Sequence, residues 1–79
     1  MNADSAGSGY ESTLVLHIEG MSCNHCRIAV QRALLQVPGV RTAEVDLASG
    51  TAKVTFDPTR ANRLEMEKAV EGEGYRVSS

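Results

Sequence analysis

Tryptophan is absent from this chain of 79 residues, and phenylalanine occurs once. No apolar run approaches the roughly 20 residues needed to cross a bilayer, so a membrane span is excluded. No basic excess exists either: the formal net charge is −2. A nucleic-acid binder normally presents a basic face, so that class is disfavoured. Cysteine is scarce, with two residues, and two cannot build the several-bridge framework of a small secreted domain. The N-terminus has no basic stretch followed by an apolar one, so no secretory signal is read there and a cytoplasmic protein with reduced thiols is expected. A chain this short makes one domain and cannot enclose a large substrate pocket. Function is expected at the surface.

What the sequence does contain is ordered. Residues 1–11 are small and polar and read as a disordered tail, leaving a folded domain over 12–79. Without Asp4 and Glu11, eight acids face eight bases, so that domain is neutral. From Ser12, Leu14, Leu16 and Ile18 alternate with Val15 and His17, the period of a half-buried strand. Helical spacing follows from Asn24, with Cys26, Val30, Ala33, Leu34 and Val37 on one face, and Pro38-Gly39 stops it. Ala43, Val45 and Leu47 alternate as a second strand. Ala52, Val54 and Phe56 do so in a third, with Ser49-Gly50 as the hairpin turn. Asn62 and Glu65 match a capping box for a second helix, whose buried face is read as Met66, Ala69 and Val70 with help from Leu64. Gly74 ends that helix, and Tyr75-Arg76-Val77 is a short last strand.

The order βαββαβ predicts an α+β fold, a ferredoxin-like sandwich of a four-stranded antiparallel sheet with two helices on one face. The outward set (Val15, His17, Thr42, Glu44, Asp46, Lys53, Thr55) is nearly all polar, so the other sheet face is expected to be wet.

The stretch Gly20-Met21-Ser22-Cys23-Asn24-His25-Cys26 joins the first strand to the first helix and holds both thiols. That spacing suits one soft metal ion or a disulfide. Together with Val37-Pro38-Gly39-Val40 and the late Gly74-Tyr75, it resembles the heavy-metal-associated domain. Within that family it looks most like bacterial copper(I) chaperones and the N-terminal metal-binding domains of copper-transporting P-type ATPases. The resemblance covers about Thr13 to Val77. It implies a carrier and not an enzyme, Cu(I) as the bound ion, and Cys23 and Cys26 as its ligands. The implied partner is a copper-transporting P-type ATPase or a soluble copper chaperone, and two copies bridged by the metal are a further form. Neither nucleic acid nor membrane insertion is implied.

Copper(I) prefers thiolates and accepts two-coordinate geometry, which leaves room for a third, incoming sulfur. Cys26, in the first helical turn, is expected to gain thiolate character from the helix N-terminus. Cys23, before the helix, is the more exposed sulfur. His25 has two readings: a solvated residue facing a partner, or a third ligand. His17 lies on the polar sheet face and is read as no ligand. Met21 is read as packing beneath the loop, as it does in the family, with its thioether as an alternative donor. Tyr75 is read as a core aromatic whose hydroxyl, by the same resemblance, approaches the metal loop. Gly72 and Glu73 depart from the family pattern and predict a loose last turn. Arg27 and Arg32 on the first helix, against Glu65, Glu67, Glu71 and Glu73 on the second, form either two solvated faces or a charged docking rim.

Competing functions fare worse on the residues. A thioredoxin-type thiol–disulfide oxidoreductase needs a longer core, and usually a Trp before the first Cys. An RNA-recognition module of the same strand order needs exposed aromatics where this chain has Thr, Lys and Glu. Mercury(II) also takes two thiolates. Zinc(II) or cadmium(II) domains of the family often carry an acid where this chain has Ser22, and zinc prefers four ligands.

Overall fold

The computed structural model describes residues 11–78. Six elements follow one another: β1 (Ser12–Glu19), α1 (Asn24–Leu35), β2 (Val40–Asp46), β3 (Thr51–Phe56), α2 (Arg63–Glu71) and β4 (Arg76–Val77). The sheet runs β2-β3-β1-β4 with antiparallel neighbours throughout. This is the ferredoxin-like arrangement expected from the element order. Of the tail expected over residues 1–11, residues 1–10 lie outside the described residues. Glu11 is described, and its carboxylate pairs with Arg41.

Alternation along the strands builds the core. Leu16, Ile18, Ala43, Ala52, Val54 and Phe56 turn one way and are buried. Val30 and Leu34 of α1, and Met66 and Val70 of α2, cover them from the helix side. Fully burying a Leu or Met contributes roughly 1.5–3 kcal/mol over leaving it exposed, so these few side chains dominate the packing energy. The opposite sheet face is open to solvent, with Thr13, His17, Glu44 and Lys53 exposed.

Three expectations need correction. Leu64 is 57% exposed and adds nothing to the buried face of α2. It lies at the second helical position, two residues before Met66, and a separation of two on a helix faces the other way. Leu47 belongs to the β2–β3 turn and is half-buried. There the Asp46 carboxylate accepts from Ala48 N–H at 2.9 Å and shapes an Asx turn. Val37 is buried, yet α1 ends at Leu35, because a residue before proline disfavours the helical region.

The capping expectation for α2 holds on one side: Asn62 Oδ1 accepts from Glu65 N–H at 2.9 Å. The turn after α1 is locked against the α2 approach. Gly39 has φ +98, and a Cβ there would come within 2.8 Å of Arg60 Cβ. Its carbonyl accepts from Asp57 N–H at 2.8 Å. Among the described residues no helix is long and apolar enough to cross a membrane.

Candidate metal centre

The site grows out of the end of β1. Gly20, at φ +99, turns the chain off the sheet. Met21 then drops its side chain against the core, which fixes one end of the loop. Ser22 and Cys23 are exposed. Cys23 is the N-cap of α1 with extended backbone (φ −155, ψ 173), and its carbonyl accepts from Arg27 N–H at 3.2 Å. No side chain caps this helix, and its first turn holds no acid.

That geometry brings the two sulfurs together. Cys23 Sγ and Cys26 Sγ lie 3.6 Å apart, both thiols are free, and Cys26 is partly covered. The Cys26 thiol is lowered to about 6. The largest cause is the Ser22 backbone N–H, which donates to its sulfur. The Tyr75 hydroxyl comes next, and the Cys23 thiol and N–H assist, while partial desolvation opposes them. The thiolate character expected of Cys26 is present, and the groups that produce it are Ser22 N–H in the loop, the N-cap residue Cys23 and the Tyr75 hydroxyl just ahead of β4.

Tyr75 is the partner in this arrangement. Its ring lies near Gly20, where an added Cβ would sit 3.4 Å from Cδ1. Donating to Cys26 pushes its own hydroxyl up to about 12, helped by desolvation and by the charges of Cys26, Cys23 and Glu73. It therefore stays protonated near neutral pH and keeps its hydrogen for the sulfur. Glu73 sits in the turn after α2, where its N–H bonds Val70 O at 3.0 Å.

Cys23, Cys26 and Tyr75 thus converge, with Met21 beneath the loop. His25 is exposed at the second position of α1. Among the described residues, no group of three or more His, Cys, Asp or Glu side chains is gathered to hold a metal. His17 is on the open sheet face, and its carbonyl accepts from Ser78 N–H at 2.8 Å. Ser22 is the contributor that sequence reasoning overlooked. A backbone N–H carries no residue-type signal, so its only trace is the position just before the first cysteine.

One exposed thiol and one partly covered thiol predisposed to ionise can grip a soft cation and leave most of its surroundings open. Comparison with known proteins points the same way. The family model described as "Heavy-metal-associated domain" matches residues 15–76. The copper chaperone CopZ of Staphylococcus saprophyticus is 44% identical over 66 residues, which span 84% of this chain and 97% of that protein. Among solved structures, a CopZ metallochaperone superposes with a TM-score of 0.83 at 40% identity, covering 85% of this chain and all of that one. A copper binding domain from HMA7, a P-type ATPase, gives 0.81 at 30% identity, covering 84% and 89%. With the strand order, the paired thiols and these matches in agreement, the chain belongs to the heavy-metal-associated domain family.

Proposed function

We propose that this protein is a copper carrier. It binds Cu(I) between the thiolates of Cys23 and Cys26, then exchanges it with a partner's thiolates. The observation that carries the reading is the sulfur pair, 3.6 Å apart, with Cys23 exposed and the partly covered Cys26 lowered to about 6. At neutral pH one ligand is already largely ionised, so uptake releases few protons. With no third ligand gathered among the described residues, the ion's flank is open to an incoming thiolate. A three-coordinate intermediate then lets one bond form before another breaks.

Cys23, uncovered and ahead of the helix, is the sulfur that leaves first. Cys26 is the anchor, because Ser22 N–H and Tyr75 stabilise its charge. Met21 supports the loop from below, and His25 is a solvated neighbour and not a ligand. The partner is a domain offering a similar exposed thiolate pair. The names of the relatives, copper chaperones and a P-type ATPase copper binding domain, favour a copper-transporting P-type ATPase or a second soluble chaperone. The same open flank would let two copies share one ion through four sulfurs. Carriage, and not catalysis, is the role.

Anaerobic titration of Cu(I) against a chromophoric chelator, with Zn(II) in parallel, tests this. One tightly held Cu(I) is expected, lost in Cys23→Ala and in Cys26→Ala and retained in His25→Ala. Transfer to a partner domain should slow in Cys23→Ser. Preferred retention of Zn(II), or disulfide reductase turnover without Cu(I) retention, would sink the reading.

A further inference from the structure

The two edges of the sheet are built differently. On the β2 edge, Gln31 Nε2 donates to Ala43 O at 3.1 Å, so a side chain caps an outward carbonyl. A register shift between Val40 and Thr42 breaks the ladder at Arg41, and Arg41, Glu44 and Asp46 add charge. These are the devices by which natural sheets block edge-to-edge pairing.

Among the described residues the open stretch of the β1 edge, Ser12 to Leu16, has none of them. Strand β4 pairs only with Ile18 and Glu19, and Ser78 N–H reaches His17 O. Ile18 N–H points to Gly50 O on the β3 side, whereas His17 O points to the β4 side. Since these directions alternate along a strand, Thr13 and Val15 aim their N–H and C=O groups at the edge that β4 does not reach. Among the described residues these groups have no strand partner. Ser12-Thr13-Leu14-Val15-Leu16 contains no charge, no Pro and no Gly, and is rich in strand-favouring side chains.

We infer that this open edge of β1 pairs antiparallel with the same edge of a second copy, forming a two-fold dimer that needs no metal. The edge itself selects the register. With Leu14 facing its counterpart across the axis, Thr13 and Val15 exchange both bonds with Val15 and Thr13 of the second copy, four bonds in all. One ladder step inward puts Thr13 of the second copy, a paired residue, in the place Ser78 occupies beside His17, whereas the chosen register brings only Glu11, ahead of the strand, level with it. One step outward puts both Glu11 residues onto the ladder and away from Arg41. Half-buried Leu14 meets its counterpart on the helix face, and no like charges oppose each other. The contact is far smaller than the ~1,600 Å² of a standard stable interface, so association is weak, with Kd on the order of 1 mM. The thiol loop begins six residues from the axis, about 20 Å along the strand. Each copy therefore keeps its sulfurs free, unlike in a metal-bridged pair.

The test is a dilution series of the full apo chain with reductant and chelator, from about 2 to 0.05 mM, a range that brackets such a Kd. It is followed by two-dimensional amide NMR. Concentration-dependent shifts centred on Thr13–Leu16, and intermolecular contacts between Leu14 residues in a mixed-label sample, are expected. The double variant Thr13→Lys, Val15→Lys sets lysines opposite each other in both pairs and should weaken association by about tenfold, with the fold and Cu(I) binding unchanged. Spectra that do not change with concentration would overturn the proposal, as would a dimer indifferent to the lysines. So would a dimer that requires the cysteines, or contacts from residues 1–10 to the Thr13 and Val15 amides.

Discussion

Each of the two helices begins after a strand-to-helix connection, and the connections differ in what they do with the helix end. The second, from Asp57 to Asn62, is closed upon itself. The Asp57 carboxylate accepts from Thr59 N–H at 2.9 Å and from its hydroxyl at 2.7 Å, and those bonds hold it below the usual carboxylate range. Asn62 caps α2, Glu65 supplies an acid to its first turn, and Arg63 pairs with Glu67 at 2.6 Å. The first, from Gly20 to Cys23, has no side-chain cap and no acid. Its spare donor, Ser22 N–H, faces a sulfur instead. One connection is committed to stability, and the other leaves its polar groups free for a ligand.

The contrast can be broken hardest at Gly39, which wedges the second connection in place. Gly39→Ala forces a Cβ into Arg60 and Ala61 at a φ that L-residues rarely adopt. A loss of roughly 2–3 kcal/mol is expected by urea denaturation. Next is Asn62→Ala, which removes the cap on α2 and should cost about 1 kcal/mol in the same measurement. The reciprocal change, Cys23→Asn, gives α1 the cap it lacks. It should raise apo stability by up to about 1 kcal/mol while abolishing tight Cu(I) retention. A Cys23→Asn variant less stable than wild type would show that the uncapped end is not a sacrifice to function.

Two smaller effects concern Cys26. Its thiol is lowered to about 6 in the fold, so the unfolded chain binds the proton more tightly. The stability this contributes is complete above the ordinary thiol range and disappears as pH falls through about 6. The difference in apo melting temperature between wild type and Cys26→Ser should therefore shrink on acidification. Smallest of all, Tyr75→Phe removes one donor and leaves Ser22 N–H. In a Cys23→Ala background, the pH midpoint of Cys26 alkylation should rise but stay below the ordinary thiol range.

The fold was legible because its signals are periodic. Leu16 and Ile18 on β1, Val54 and Phe56 on β3, and Met66 and Val70 on α2 all bury as their spacing predicts. Leu64 is hydrophobic but stands at the wrong angle on the helix to join the face that Met66 and Val70 bury. Cys23 and Cys26 were legible as a pair through their residue type and separation. The donor that most lowers Cys26 was not, since a backbone N–H has no letter of its own and depends on the path of the loop. The Gly39 wedge was hidden for a related reason: its neighbours Arg60 and Ala61 lie about twenty positions away in sequence.

The anchorage of Met21 in the core has a consequence for distance. Cys23 follows it by two residues, and a fully extended chain advances at most ~3.6 Å per residue. The Cys23 backbone can therefore travel no farther than about 7 Å from a point rooted in the core. On the other side it is joined directly to α1. An ion gripped by this sulfur cannot be carried outward on a long swinging arm. In the proposed exchange the receiving thiolates would have to come up to the loop themselves, and handover would be a contact event between two docked surfaces.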